Sequence, residues 1–165
     1  MKDLIDSFKS FLTEGSKGNY VVGSSMPLYH YSSADKEQIT LDPQQFGASS
    51  YSKREKESST IPRIFFYVDL SHREKMVATS RNLYTVNIDA SMVYDLNTDP
   101  EGYIGSIRHP IYGMRKGIEL DELLATIKEN YSGMFYTTGA MDVVAWFEPI
   151  SVERVPDDER TRLES

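Results

Sequence analysis

The chain has no cysteine among its 165 residues. It can therefore form neither a disulfide framework nor a thiolate metal site, and its stability must come from packing. A reducing compartment is the natural setting for such a composition. The sequence also lacks both the apolar run of about 18 residues that spans a membrane and the basic, apolar start of a secretory signal. We expect a soluble protein without a membrane partner.

Basic residues are fewer than acidic ones. The chain carries 18 Lys and Arg against 25 Asp and Glu, a net charge of −7, which opposes non-specific binding to nucleic acid or an anionic membrane. The apolar share is 39%, enough for one continuous core at this length. We expect a single folded domain.

Metal-binding patterns are also missing. The three histidines, His30, His72 and His109, lack the spacing that places two ligands on one helix face. The run Asp95 to Pro100 begins like a calcium loop, but proline stands where glycine is needed and Ser106 where a bidentate glutamate is needed. We predict a turn there and no metal site.

The hydropathy pattern divides the chain into four segments. Residues 1–14 form a short amphipathic segment and residues 15–19 a glycine-containing linker. Residues 20–155 form the folded domain, and residues 156–165 a charged, flexible tail. Within the domain, the long polar segment Asp42 to Ile61 is expected to be a mobile loop that acts as a lid.

Apolar periodicity predicts an α+β domain with a few short helices. The clearest buried strand has apolar residues on both faces, which favours a central position. The predicted strands are Pro27–Ser32, Ile39–Leu41, Arg63–Asp69, Leu83–Ile88, Val93–Leu96, Met134–Thr137 and Asp142–Phe147. The predicted helices are Ser71–Ala78 and Glu119–Asn130.

Polar and aromatic strand residues supply the candidate site. His30 projects from the first strand with Ser32 two residues later on the same face. Phe65 or Tyr67 projects from the central strand, and Asp142 opens a buried strand. Taken singly, such a histidine is also typical of a structural residue, and such an acid of a solvated turn group.

The order of these motifs resembles the ADP-ribosyltransferase-like fold in its histidine–tyrosine–glutamate branch, over roughly residues 27–155. The segment Leu41-Asp42-Pro43 before Phe46-Gly47, and the run from Pro62 to Tyr67, look like phage-encoded members of that superfamily. The resemblance implies mixed, mainly antiparallel sheets and NAD as a substrate. It further implies transfer of ADP-ribose to a host protein or nucleic acid.

The resemblance also implies roles for individual residues. His30 would hydrogen-bond the nicotinamide-side ribose, Phe65 or Tyr67 would stack on nicotinamide, and Asp142 would orient a ribose hydroxyl and stabilise an oxocarbenium-like transition state. The remaining cofactor-binding candidates are Ser32, Tyr31 and Arg63. Two positions depart from the family pattern. Tyr31 replaces a frequent glycine and would narrow the nicotinamide slot, and the acid is aspartate, one methylene shorter than glutamate.

A second resemblance concerns residues 1–14. Their Phe-containing helix ends in Leu12-Thr13-Glu14 and is followed by Gly15, which is similar to the capsid-targeting peptides of internal head proteins in tailed bacteriophages. This implies cleavage by a prohead protease at Glu14-Gly15, packaging in the virion and delivery to the host cytoplasm for host takeover. A plain N-terminal helix docked on the domain is the alternative.

The sequence therefore predicts a phage-type mono-ADP-ribosyltransferase, a glycosyl-transferring enzyme that uses NAD. Two alternatives remain open. One is a catalytically inactive internal or structural virion protein with the same fold, and the other is an inhibitor of a host defence enzyme.

Overall fold

A computed structural model describes residues 25–45, 60–70, 81–104, 118–138 and 141–165. The predictions for residues 1–24, for residues 46–59 of the proposed lid, and for a helix over Ser71–Ala78 lie outside the described residues.

The described residues form eight strands and two α-helices. The strands are β1 (Ser25–Ser32), β2 (Gln38–Leu41), β3 (Ile64–Tyr67), β4 (Asn82–Asp89), β5 (Val93–Asp95), β6 (Gly133–Thr138), β7 (Met141–Trp146) and β8 (Ile150–Arg154). The helices are α1 (Ile118–Asn130) and α2 (Asp157–Leu163). Short 3-10 turns lie at Pro43–Gln45 and Ala90–Met92. The predicted α+β class and the mainly antiparallel sheet are confirmed.

All eight strands belong to one sheet, in the order β2-β8-β4-β1-β3-β7-β6-β5. Every neighbouring pair is antiparallel except β5 and β6, which run parallel. The chain passes from β5 to β6 through α1, as a parallel connection requires. The strand β3, predicted from its apolar run to be central, lies between β1 and β7 in the interior of the sheet.

A short connection forces the sheet to curl. The strand β4 ends at Asp89 and β5 begins at Val93, yet four strands stand between them in the sheet. Five strand spacings on a flat sheet would measure about 24 Å. The chain from Asp89 to Val93 reaches at most about 14 Å. The two ends can therefore meet only if the sheet bends, which gives it a concave and a convex face.

The concave face carries one continuous apolar core. Alternation and cross-strand pairing place Met26, Leu28, Phe66 and Val144 on this side. The same cluster joins Val152 of β8 to Phe135 of β6, although these strands are far apart in the sheet order. The link between β4 and β5 belongs to the same cluster through Ala90 and Val93, so this face is the inside of the curl.

The two helices cover the convex face. In α1, Leu123, Leu124 and Ile127 are almost fully buried and pack with Met134 and Ala145 of the sheet. A second convex cluster lies beneath α2 and contains Tyr31, Leu70, Leu83 and Val155 with Leu163 against it. The two helices therefore cover two separate regions of the convex face.

The end of the chain differs from the sequence prediction. A charged, flexible tail is expected over residues 156–165, whereas the structure contains the helix α2. Acidic residues in its first turn and basic residues in its last suit the helix dipole. Glu164 accepts hydrogen bonds from the Tyr31 hydroxyl at 3.2 Å and from Arg160 Nε at 2.6 Å. The Arg160 guanidinium also lies 5.6 Å from the Tyr31 ring centre. The charges that made this segment look like a solvated tail therefore attach it to β1.

The contacts of α2 predict unequal roles for its two arginines. Arg160 is 22% exposed and also donates to the Arg81 carbonyl at 2.8 Å, whereas Arg162 is 78% exposed and 3.9 Å from Glu159. We expect Arg160→Ala to lower the free energy of unfolding by about 1–3 kcal/mol. The matched Arg162→Ala should change it by less than about 0.5 kcal/mol. Urea denaturation of both variants measures this, and equal effects would show that α2 is not docked as described.

Candidate functional site

The strands β1 and β3 pair over a much shorter length than their neighbours do. The strand β1 pairs with β4 at eight successive positions, but with β3 at the single pair Tyr29 and Tyr67. Beyond that pair, the His30 imidazole bridges the two strands, with Nδ1 2.8 Å from the carbonyl oxygen of Phe65. A side-chain contact thus joins the two strands beyond the single ladder pair. The sheet is interrupted here.

This contact determines the protonation of His30. A carbonyl oxygen only accepts hydrogen bonds, so Nδ1 must carry the proton. Burial lowers the pKa of His30, and the charge of Arg81 lowers it further, while the bond to Phe65 opposes both effects. The ring is therefore neutral at pH 7, and Nε2 has no proton. His30 presents a hydrogen-bond acceptor at the interruption between the strands.

Aromatic residues of both neighbouring strands flank His30 on the concave face. Its cross-strand partner is Tyr84, and the Phe66 ring lies 5.6 Å away at an interplanar angle of 58°. Phe66 is fully buried, so it forms the floor beneath the imidazole. Ser32 shares this face, and its hydroxyl accepts the Ala34 N–H at 3.2 Å. The Ser32 oxygen thus also shapes the turn that follows β1.

Asp142 lies on the same concave face, on the other side of β3. Phe66 pairs with Val144, and Asp142 precedes Val144 by two residues, which keeps it on that face. Its carboxylate accepts the Thr137 hydroxyl at 2.8 Å, and its backbone oxygen accepts the Val68 N–H at 3.2 Å. Strand spacings put the Cα atoms of His30 and Asp142 roughly 12 Å apart. The structure thus places the two predicted catalytic residues on one surface, separated by one strand.

The other predicted site residues lie on the convex face. Tyr67 pairs with Tyr29, and its ring contacts that of Tyr31 edge-on at 6.2 Å. The Arg63 guanidinium, 3% exposed, lies 5.3 Å from the centre of the Phe65 ring and donates to a backbone carbonyl at 2.8 Å. Side chains alternate between the two faces along β3. In the observed register Phe66 lies on the face of His30, so Phe65 and Tyr67 lie on the opposite face. The aromatic residue of β3 that shares the face of His30 is Phe66.

Two residues near Asp142 were not predicted from the sequence. Thr137 is the direct cross-strand partner of Asp142, and Asn97 contacts Thr137 from the loop after β5. A sequence signal for Thr137 was present, because the predicted strands Met134–Thr137 and Asp142–Phe147 are separated by a short connection. Such a spacing is typical of a hairpin, in which the last residue of one strand pairs with the first residue of the next. Asn97 had no comparable signal, because its approach depends on where β5 joins the sheet.

The segment predicted as a turn rather than a calcium loop is a turn. Asp95 accepts the N–H groups of Asn97 and Thr98 at 3.0 and 3.4 Å, and the Thr98 hydroxyl at 2.8 Å. Nearby, the two carboxylate oxygens of Glu101 accept the hydroxyls of Tyr103 and Tyr131. The bond to Glu101 is the main cause that raises the pKa of Tyr131 to about 12. These acids hold the fold together, and the described ranges contain no group of three His, Asp or Glu placed to bind a metal ion.

Comparison with family models, curated proteins and solved structures gives no match to this chain. Within the described ranges, no helix is both long enough and apolar enough to span a membrane. Inferences about function therefore depend on the geometry of His30 and Asp142.

The lowered pKa of His30 predicts a pH-dependent stability. An unfolded histidine titrates near 6.5, above folded His30, so the unfolded chain takes up the proton first as the pH falls. The stabilisation is complete above about pH 6.5 and decreases below it. His30→Asn keeps an N–H donor for the Phe65 carbonyl and does not titrate. The difference in unfolding free energy between wild type and variant should therefore shrink from about pH 7.5 to 5. A difference that stays constant or grows would show that the folded imidazole is not held neutral.

Proposed function

We propose that this chain is an ADP-ribosyltransferase-like protein that binds NAD through His30 and Asp142. The observation that carries the proposal is the neutral imidazole at the interruption between β1 and β3, on the same face as a carboxylate one strand away. The acceptor atom Nε2 is suited to a ribose hydroxyl, which donates. The carboxylate is suited to the positive charge that develops on the ribose when nicotinamide leaves.

The separation of the two residues supports this assignment. The separation of roughly 12 Å between their Cα atoms is compatible with two side chains that contact opposite sides of one sugar ring. Phe66 belongs to the apolar core and Val68 packs against it, and both lie between the two residues, on β3 or directly after it. A low-dielectric floor strengthens the attraction between a carboxylate and an oxocarbenium ion. The strand that separates the two residues thus contributes to the proposed site.

The acceptor and the route of delivery follow from the two sequence resemblances. We propose a host protein or nucleic acid as the acceptor of ADP-ribose. We further propose that residues 1–14 target the chain to the capsid interior and are cut off at Glu14-Gly15. Neither proposal follows from the geometry of His30 and Asp142.

A second candidate function is a non-catalytic protein with the same fold. The predicted site residues are divided between two faces, which favours this candidate. Phe65, Tyr31 and Tyr67 belong to or pack against the clusters beneath the convex-face helices, and Arg63 lies over the Phe65 ring. An aromatic on that side cannot stack on nicotinamide held at His30. A virion component or an inhibitor would need neither NAD nor turnover.

NAD titration separates these candidates. Calorimetry of the wild-type protein should show binding, and His30→Asn should weaken it about 5- to 20-fold, which corresponds to the loss of one hydrogen bond. Asp142→Asn should keep binding within a few-fold, but should slow nicotinamide release by about 100-fold or more.

The exposed Thr40→Val on the far edge strand serves as the control and should leave both quantities unchanged. Absence of NAD binding by the wild type would reject the proposal in favour of the non-catalytic candidate. Equal binding by wild type and His30→Asn would remove His30 from the site.

A further inference from the structure

We infer that Thr137 and Asn97 are positioning residues for Asp142, an inference that rests on the function proposed above. Three strand ends meet where Asp142 lies. Thr137 near the end of β6 donates its hydroxyl to Asp142 Oδ1 at 2.8 Å. Asn97, two residues after β5, makes two contacts with Thr137, each at 3.4 Å. The acid of the proposed site is thus held by a chain of side chains rather than by its own strand alone.

The direction of this chain is determined by chemistry. A carboxylate oxygen only accepts hydrogen bonds, so the Thr137 hydroxyl must donate its single proton to the bond with Asp142. The Thr137 oxygen can then accept from Asn97 Nδ2. The backbone N–H of Thr137 points at Asn97 Oδ1, which determines the orientation of the Asn97 amide. Donors aligned in one direction polarise each other toward the carboxylate.

Asn97 is itself held in place. Its backbone N–H donates to Asp95 Oδ1 at 3.0 Å, and Asp95 is only 9% exposed. The adjacent Leu96 N–H donates to the Phe135 carbonyl at 2.9 Å, which ties the loop to β6. The outer end of the chain is therefore anchored in the sheet. Because the contacts between Asn97 and Thr137 are long, Thr137 should have the larger effect on Asp142.

Positioning matters more for aspartate than for glutamate. A shorter side chain has fewer rotatable bonds with which to follow a substrate, so its useful position must be built into the protein. A displacement of about 1 Å at a reacting group can cost up to 100-fold in rate. The hydroxyl of Thr137 selects one rotamer of Asp142 by bonding one of its two oxygens. We therefore expect its loss to affect turnover rather than NAD binding.

The test compares Thr137→Val, which has the same shape without the hydroxyl, with Thr137→Ser, which restores it. Thr137→Val should lower kcat for nicotinamide release from NAD by roughly 10- to 100-fold while KM changes by less than about twofold. Thr137→Ser should recover most of kcat. The control Thr40→Val makes the same chemical change in a distant cross-strand pair with Ser151 and should have no effect.

A second readout does not need NAD. Side-chain coupling constants from NMR should show one χ1 rotamer for Asp142 in the wild type and in Thr137→Ser, and averaging over several in Thr137→Val. Unchanged kcat, or a single rotamer retained in Thr137→Val, would overturn the inference. If the wild type does not turn over NAD, the proposed function fails, and the rotamer measurement alone decides whether Thr137 positions Asp142.

Folding is checked by the melting temperature of each variant. If Thr137→Val does not fold, Asn97→Ala takes its place, because it leaves the bond between Thr137 and Asp142 intact. A fall in kcat of about two- to fivefold with unchanged KM would then support the chain of positioning residues. Unchanged kcat in Asn97→Ala would overturn it.

Discussion

The hydrogen bond between the His30 imidazole and the Phe65 carbonyl is the interaction on which the candidate site depends. It lies where the ladder between β1 and β3 stops after one pair. The loss of a partner by a buried carbonyl costs about 1–3 kcal/mol, so the imidazole stabilises the junction between the two strands. The same bond requires the proton to be on Nδ1, which leaves Nε2 of the neutral ring as an acceptor. One contact thus closes the interruption in the sheet and specifies what His30 can bind.

The curl of the sheet explains why the concave face can hold such a site. The short link from Asp89 to Val93 bends the sheet and brings distant strands into one core. The helices α1 and α2 occupy the convex face, which leaves polar groups on the concave side at the ends of β1, β6 and β7. His30 and Asp142 are among these groups, and each is held by a neighbouring strand. The site is therefore a product of strand topology rather than of a flexible loop.

Local pattern predicted the elements well, because strand periodicity is visible in the sequence. The strands at Pro27–Ser32 and Met134–Thr137 appear within one or two residues of their predicted bounds. The strand β8 was not predicted, since Ile150 and Val152 are its only apolar residues and charged residues follow them. The helix α2 was missed because its charges are satisfied by Tyr31 and Arg81, which are distant in sequence.

The candidate site was predictable residue by residue but not as an arrangement. His30, Ser32 and Asp142 share a face. Alternation of side chains along each strand makes this possible, but the register between the strands decides it. Register between β1 and β3 also decided against Phe65 and Tyr67, because a shift of one residue exchanges the two faces. No local pattern carries that information. The same holds for Asn97, whose contact with Thr137 depends on a parallel pair formed across a long connection.

The tautomer of His30 tests this account most directly. Two-bond nitrogen–proton NMR correlations of the imidazole distinguish a protonated Nδ1 from a protonated Nε2 and from the charged ring. At neutral pH we expect a proton on Nδ1 and an unprotonated Nε2 that acts as an acceptor. The Nδ1 chemical shift of His30 should change on heating, which weakens the bond to Phe65. A proton on Nε2, or a cationic ring, would contradict the account, because His30 would then be a donor where the proposed site needs an acceptor.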